Sequence, residues 1–250
     1  MIRLLAHAAL ALGLALASPA HAQDADMTPA EREAFRAEVR AYLLDNPEVL
    51  VEAMEIYEER QQAAAAERDA AMLQMLSERI FAAEGDWVGG NPDGDITIVE
   101  FMDYRCGYCR RAYPEVEQLI ASDGNIRLIV KEFPILGEQS VLAARFAIAV
   151  LQLEGPDAYK AVHDELMTMQ SDINELSLEL VADDLGFDVD AIVARMQDDA
   201  VTRVIAANHD LAQQLQINGT PSFIFGDEMV RGYVPLDAMR QIVAEERAEG

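Results

Sequence analysis

Residues 98–111 read IVEFMDYRCGYCRR and join a strand pattern to a reactive motif. The apolar run over residues 96–102 predicts a buried strand. Cys106 and Cys109 follow at once, where a helix should begin and run to about residue 121. A sulfur at such a junction faces free backbone N–H groups and the positive helix end, which stabilise a thiolate. The stretch therefore predicts a reactive dithiol at a strand–helix junction.

The two cysteines are the only ones in the 250 residues. A disulfide between them closes a loop so short that it contributes only about 2 kcal/mol on the chain-entropy model. A purely structural role explains the pair poorly. Cys106 is the expected nucleophile, and Cys109, one helical turn later and facing the core, is the expected resolving thiol. We expect this redox-active disulfide to serve without any further cofactor.

The charge of the chain excludes some classes of partner. The formal net charge is −26, from 19 basic and 45 acidic residues. Nucleic acids and anionic membranes are bound through Lys and Arg, so such acidity argues against both. We expect no nucleic-acid partner.

The N-terminus predicts an export signal. Arg3 supplies the positive charge, residues 4–17 are apolar but too short to span a bilayer, and Ala20-His21-Ala22 is a cleavage pattern. We expect cleavage after Ala22; the alternative is an uncleaved N-terminal anchor. The product should work in an oxidising compartment, most simply a bacterial periplasm.

Residues 23–84 read as a helical region. Thr28-Pro29-Ala30-Glu31 is a capping box with proline at the first helical position, and the helix should run to about Leu44. A second, long helix follows from about Pro47 to Ala83, with an imperfect apolar stripe. Such a stripe needs a partner, either another copy of the chain or the chain's own domain.

Residues 85–250 read as the main domain. A turn-rich segment, Gly85 to Gly94, marks its boundary. A strand over residues 126–133 follows the first strand and helix, and residues 138–215 are helical in pattern. Then come a hairpin over residues 222–231 and a last helix after Pro235. The order is β-α-β, a helical block, then β-β-α.

Two further signals surround the cysteines. Thr220-Pro221 places a proline just before a strand, where an X–Pro bond can be cis, as in the loop that faces the active site of thioredoxin folds. Arg105, Arg110 and Arg111 either lower the pKa of Cys106 or are ordinary solvated helix residues.

A metal site is the weaker interpretation of the motif. Two cysteines are half of a zinc site, and the mature chain offers only His163 and His209, without ligand spacing. Copper capture by the two thiols with methionines is a remaining alternative, although the methionines fall mostly at helical core spacing. We expect no resident metal.

Three segments together resemble the DsbA family of periplasmic disulfide oxidoreductases. They are residues 99–109, residues 130–134 (VKEFP) and residues 219–223 (GTPSF). The resemblance covers about Asp86 to the C-terminus. It implies an α/β thioredoxin fold with an inserted helical domain, preceded here by the N-terminal helical arm. It also implies that Pro221 is cis and that Thr220 meets the substrate backbone.

The same resemblance assigns two buried charges. In this family an acidic residue on the first central strand relays the proton of the resolving thiol, and Glu100 matches that place. A basic residue on the next strand often partners it, and Lys131 matches by position. Burial would raise the pKa of Glu100 and suit it to proton relay. The alternative is that the Glu100 side chain points to a solvent-exposed face of the sheet.

Some features depart from the best-known oxidase of the family. Its central Pro-His dipeptide is replaced by Gly107-Tyr108, and tyrosine cannot carry the positive charge that stabilises the thiolate. Thr220 before the proline is typical of the isomerases DsbC and DsbG. The N-terminal arm is similar to that of the suppressor of copper sensitivity C proteins, some of which oligomerise through it. We expect the dithiol–disulfide couple of this protein to be less oxidising than that of the oxidase.

The leading hypothesis is a periplasmic disulfide isomerase or reductase that acts on unfolded or misfolded secreted proteins. A membrane redox partner, DsbD/ScsB-like or DsbB-like, and homo-oligomerisation through the N-terminal helices belong to it. The first alternative is a DsbA-like dithiol oxidase. The second, of another class, is a copper-binding or chaperone protein whose thiols hold metal or client without turnover.

Overall fold

The structure, a computed structural model, describes residues 27–81 and 84–249. The expected signal peptide and its cleavage site lie outside this part. The helices in these residues are α1 Pro29–Asp45, α2 Glu48–Phe81, α3 Gly107–Asp123, α4 Glu138–Glu154, α5 Pro156–Thr168, α6 Glu175–Asp184, α7 Val189–Met196, α8 Asp199–Gln214 and α9 Leu236–Glu249. The strands are β1 Trp87–Gly90, β2 Ile96–Met102, β3 Ile126–Glu132, β4 Ser222–Phe225 and β5 Glu228–Arg231.

One five-stranded sheet organises the main domain, in the order β1-β3-β2-β4-β5. The central strands β2 and β3 are parallel, as expected for two strands joined by the crossover helix α3. The strands β1, β4 and β5 pair antiparallel. The helices α4 to α8 stand between β3 and β4 along the chain. This confirms the thioredoxin-like fold with an inserted helical block.

The central strand β2 contributes side chains to two hydrophobic cores, because successive side chains point to opposite faces of a sheet. Ile98 and Met102 join the larger core, which also holds Cys109 and much of the helical insertion. Val99 and Phe101 join a smaller core on the other face. The near-continuous apolar sequence of this strand thus reflects burial on both sides.

The edge strand β1 is an element that the sequence did not predict. Its sequence, Trp-Val-Gly-Gly, lies inside the turn-rich segment, and Trp87 is buried in the larger core. A Cβ atom at Gly89 would lie 1.9 Å from the Trp87 ring, so the indole needs a glycine beside it. The glycine that suggested a loop instead makes room for a core side chain.

The chain divides into two compact units, one up to Glu59 and one from Arg60 onward. The second half of α2 belongs to the second unit, because Leu73 and Ile80 are buried in the smaller core. This unit thus begins well before the boundary near Gly85 that the turn residues suggested.

The first unit contains α1, which begins with the predicted capping box of Thr28 and Glu31. The helix buries none of its 17 residues, and most of its large apolar side chains are exposed: Phe35, Val39, Tyr42 and Leu44. None of the helices over residues 27–81 and 84–249 has both the length and the apolar character needed to cross a membrane.

Candidate active site

Cys106 is the N-cap residue of α3, as the sequence predicted. Its sulfur accepts a hydrogen bond from the Cys109 backbone N–H, with 3.4 Å between N and Sγ. The thiol donates to the carbonyl oxygen of Thr220, 3.1 Å away. Cys106 is 6% exposed whereas Cys109 is fully buried, so only Cys106 is open to a molecule from outside. The two sulfurs are free thiols in this structure.

The pKa of the Cys106 thiol is lowered to about 5. A hydrogen bond with the Cys109 thiol is the largest cause, and bonds with the Thr220 side chain and the N–H groups of Cys109 and Tyr108 add to it, against the opposing effect of burial. Hydrogen bonds to a thiolate favour the charged form. Arg105 is not among these causes, so the local hydrogen bonds account for the shift rather than the neighbouring arginine.

Cys109 and Glu100 form the buried half of the site. Burial, the Cys106 hydrogen bond and the nearby Glu100 carboxylate raise the pKa of Cys109 well above its usual range. Burial first, then repulsion by Cys106 and Glu117, raises the pKa of Glu100 to about 8. Oε1 of Glu100 has no hydrogen-bond partner in the described part of the chain. The predicted burial of Glu100 is confirmed.

The predicted pairing of Lys131 with Glu100 is wrong. Residue 100 of β2 lies opposite Val130 of β3, so Lys131 points to the other face of the sheet. There its Nζ contacts the Asp86 carboxylate and the carbonyl oxygen of Arg79. The match by sequence position placed Lys131 on the correct strand, but on the wrong face of the sheet.

The peptide bond between Thr220 and Pro221 is cis, as predicted. The loop lies 114 residues after Cys106 along the chain and still contacts it through the Thr220 carbonyl oxygen. The pairing of β4 with β2 carries the loop to this position, because β4 begins at Ser222, directly after the proline.

The dipeptide between the cysteines is exposed. Tyr108 is 61% exposed, and its ring stacks on Tyr233 with 6.2 Å between centroids. The Arg111 guanidinium lies 4.6 Å from the centre of the Tyr233 ring, and the Tyr233 hydroxyl donates to Glu115. A Cβ atom at Gly107 would meet nothing within 4 Å, so packing does not require glycine there. Sequence reasoning did not identify Tyr233.

Asp103 organises the segment before Cys106, a role that sequence reasoning also missed. Its Oδ1 accepts from the Arg105 N–H at 2.7 Å, and its Oδ2 accepts from the N–H groups of Ile135 and Leu136. The side chain is buried. The sequence signal for this role was the position of Asp103 between an apolar strand and Cys106. The Arg105 guanidinium itself makes no hydrogen bond among the described residues.

Arg110 binds backbone carbonyl groups rather than solvent. Its guanidinium donates to the carbonyl oxygens of Tyr104, at 2.7 Å, and of Leu166 and Met169. The last two carbonyls lie at the C-terminal end of α5, so the side chain satisfies part of that helix end. Arg110 thereby ties α3 to the helical insertion.

The two histidines of residues 27–81 and 84–249 are both ring-packed. His163 is buried against Trp87 and Tyr159, and burial lowers its pKa to about 4. His209 packs on Phe133. Within the same residues, no three His, Cys, Asp or Glu side chains gather as a potential metal site.

The site has the parts of a thiol–disulfide exchange centre. A stabilised thiolate at the edge of the site can attack a disulfide, and a buried thiol one turn away can attack the resulting mixed disulfide. A buried carboxyl group with a pKa near neutrality can hold the proton that the second thiol must lose. The low pKa of Cys106 suits this thiol to the first attack, and the raised pKa of the buried Cys109 suits it to the second.

Comparison with known proteins agrees with this geometry. A family model described as a DSBA-like thioredoxin domain matches residues 97–244, and one described as the copper resistance protein ScsC N-terminal domain matches residues 31–64. Disulfide bond formation protein D of Bacillus subtilis is 22% identical over 173 residues, which cover 65% of this chain and 78% of that protein. Antiporters of the NhaA type also match, but the chain spans only about a quarter of their length, 24% for NhaA 3 of Salinispora tropica.

Solved structures give the same result. A thioredoxin-like oxidoreductase from Silicibacter pomeroyi is 42% identical, with a TM-score of 0.65, over 68% of this chain and 97% of that one. A linker-deletion mutant of ScsC from Proteus mirabilis is 26% identical, with a TM-score of 0.68, over 91% of this chain and 100% of that one. The protein therefore belongs to the DsbA-like thioredoxin-domain family of thiol–disulfide oxidoreductases, and it carries an N-terminal region like that of ScsC.

Proposed function

We propose that the protein is a periplasmic disulfide isomerase and reductase that acts on unfolded or misfolded secreted proteins. The observation that carries the thiol–disulfide exchange in this proposal is the asymmetry of the two thiols. Cys106 has a pKa of about 5 and retains some exposure, whereas Cys109 is buried and has a raised pKa. Near neutral pH the first thiol is a thiolate and the second is protonated.

The reduced protein begins the reaction as a nucleophile. The Cys106 thiolate attacks a client disulfide, forms a mixed disulfide and releases one client sulfur as a thiolate. In isomerisation, another client thiolate attacks the mixed disulfide, forms a new client disulfide and regenerates the Cys106 thiolate. In reduction, Cys109 loses its proton and attacks the Cys106 sulfur, which leaves an internal disulfide and a reduced client.

Glu100 supports the resolving step in this scheme. Its carboxyl group, with a pKa of about 8, lies near enough to Cys109 for the charge to raise the pKa of that thiol. A carboxylate there accepts the thiol proton as Cys109 attacks, which avoids building a second buried anion beside it. Reduction ends with an oxidised protein, so a membrane redox partner of the DsbD/ScsB-like kind must supply two electrons.

The N-terminal region supports a homo-oligomer. Apolar side chains of α1 line an open groove with Leu50 of α2; they are the exposed Phe35, Val39 and Leu44 and the half-buried Leu43. A 17-residue helix that buries nothing has little stability of its own. A second copy of the same region would cover these side chains. Several active sites on one assembly raise the effective concentration of thiolates around a bound client.

One observation favours the oxidase alternative. A thiolate stabilised to a pKa of about 5 favours the reduced form of the couple, and that is what makes a dithiol oxidising. The value lies between about 7 for thioredoxin and about 3.5 for DsbA. The oxidase would receive electrons from clients and pass them to a DsbB-like membrane partner.

The reduction potential and a refolding assay separate the two functions. An isomerase should have a milder couple than the oxidase value of about −120 mV and should restore activity to scrambled ribonuclease. A potential at or beyond that value, together with oxidation of reduced ribonuclease but no recovery of the scrambled form, would contradict the isomerase proposal. The Cys106→Ser variant is the control, because it keeps the fold but has no nucleophile.

A further inference from the structure

A second buried carboxyl group, Glu132, joins the active-site segment to the helical insertion. It is the last residue of β3, and its side chain is 3% exposed. Its Oε1 accepts hydrogen bonds from the hydroxyl groups of Tyr104 at 2.8 Å and Tyr159 at 2.6 Å. Tyr104 precedes Cys106 by two residues, and Tyr159 lies on α5. One oxygen atom thus holds two elements that the chain separates by more than 50 residues.

Tyr104 is fixed at both ends. Its hydroxyl also lies 3.1 Å from Nδ1 of His163, and its carbonyl oxygen accepts from Nε of Arg110 at 2.7 Å. The ring is buried in the larger core. Because the hydroxyl and the carbonyl are both bound, this residue has little freedom to shift along the direction of the chain.

The contacts of Cys106 depend on the position of the segment that contains Tyr104. The Cys106 backbone N–H donates to the Asp103 carbonyl oxygen at 3.0 Å, and its sulfur must stay within reach of the Cys109 N–H and of the Thr220 side chain. Those contacts lower the pKa of the thiol. A small displacement of Tyr104 would therefore change the surroundings of the sulfur more than it would change the fold.

The charged and titratable groups around Glu132 are few. Tyr104 and Tyr159 donate to it, Asp103 and Asp86 repel its charge, and burial is the main cause that raises its pKa to about 8. His163 reaches it only through Tyr104, and burial lowers the pKa of this imidazole to about 4. Oε2 has no partner among the described residues. The carboxyl group therefore acts on its surroundings through the two tyrosine hydroxyls.

We infer that Glu132 is a positioning residue, which holds Tyr104 and through it keeps Cys106 at the N-cap of α3. This inference rests on the proposed function only in taking Cys106 as the nucleophile. Glu132 touches neither cysteine and moves no proton in the reaction. Its part is to set the distance between the Cys106 sulfur and the groups that stabilise the thiolate.

Two isosteric variants test the inference. Tyr104→Phe and Tyr159→Phe each keep the ring and remove one hydroxyl donor to the same Glu132 oxygen, and Tyr104→Phe also removes the contact with Nδ1 of His163. The readout is the absorbance of the Cys106 thiolate near 240 nm as a function of pH. Cys109 does not interfere, because its pKa is far above that of Cys106.

The two variants should differ in the pKa of Cys106. Tyr104→Phe should raise the pKa of Cys106 by about half a unit, about a threefold change in the thiolate equilibrium, whereas Tyr159→Phe should leave it unchanged. Equal shifts in both variants, or no shift in Tyr104→Phe, would overturn the inference. The titration needs no client, so its outcome stands apart from whether the protein isomerises disulfides.

A second pair of variants tests the acceptor oxygen of Glu132. Glu132→Gln keeps an oxygen that accepts from both hydroxyls, whereas Glu132→Leu removes it. Glu132→Gln should therefore retain the Cys106 titration of the parent, and Glu132→Leu should show the shift of Tyr104→Phe. A Glu132→Gln variant that shifts as far as Glu132→Leu would show that an acceptor for the two hydroxyls does not set the titration and would refute the positioning role.

Discussion

The ammonium group of Lys131 is paired with the carboxylate of Asp86, with 2.5 Å between Nζ and Oδ2. Both side chains are almost fully buried on the sheet face opposite Cys109. Nζ also donates to the Arg79 carbonyl oxygen in the last turn of α2, and Nδ2 of Asn208 donates to Asp86. The pair thus fastens α2 and the segment after it to the central sheet.

Breaking this pair should lower the stability of the fold without changing the pKa of Cys106. Lys131→Met leaves the Asp86 carboxylate buried and unpaired, so we expect a loss of about 3–5 kcal/mol in the free energy of unfolding, measured with denaturant. Replacing Asp86 by Asn as well should recover part of it. The pKa of Cys106 should stay the same in both, and a shift would contradict the placement of Lys131 away from the site.

The Thr220 side chain should make the Cys106 thiol more acidic. Thr220→Val removes its hydrogen bond and keeps its shape and its carbonyl group, so the pKa of Cys106 should rise from about 5. The pH dependence of alkylation by iodoacetamide measures the change. Thr220→Ser keeps the hydroxyl and is the matched control; a Ser variant that behaved like Val would show that the hydroxyl is not the cause.

Glu100 should make the protein less stable as the pH rises. Its pKa is about 8 in the folded protein against an ordinary 4.5, so the folded state keeps a proton that the unfolded chain has lost. The stability from the neutral carboxyl is complete below about pH 4.5 and is lost as the pH rises to about 8, by at most about 1.4 kcal/mol per pH unit.

Glu100→Gln should remove this dependence and raise stability at pH 7 to 8. Urea unfolding at several pH values measures it in the reduced protein. Some decline should remain, because burial also raises the pKa of Glu132 to about 8. An unchanged pH dependence in Glu100→Gln would mean that this carboxyl group ionises normally in the folded protein.

Cys109→Ser should trap clients as mixed disulfides with Cys106. Without the resolving thiol, the first attack still occurs and the product accumulates, which non-reducing electrophoresis detects. Cys106→Ser should trap nothing, because the thiol that remains is buried and protonated. Trapping by Cys106→Ser at a comparable level would reverse the assigned order of attack.

The groove on α1 should carry the self-association. Val39→Asp places a charge inside the groove and should lower the mass of the mature protein in light scattering to that of a monomer. Ala37→Asp adds the same charge on the same helix outside the groove and is the control. A monomeric parent protein, or an equal effect of both variants, would contradict a role of this groove in assembly.

The sequence by itself determined the dithiol and the outline of the fold. Strand and helix patterns predicted the order β-α-β, a helical block and β-β-α, and the resemblance of three segments to the DsbA family implied the thioredoxin fold with its helical insertion. These features are local: strand periodicity, helix starts and turn residues leave marks within a few neighbouring residues. The burial of Glu100 followed from its place in an apolar strand.

The tertiary structure alone decided which charges meet. Lys131 pairs with Asp86, and Glu132 with two tyrosines, because the register of β2 and β3 sends alternate side chains to opposite faces. A shift of one residue exchanges the two faces, and no local pattern specifies partners that are tens of residues apart. The contact of Thr220 with Cys106 likewise depends on the pairing of β4 with β2 across the whole helical insertion.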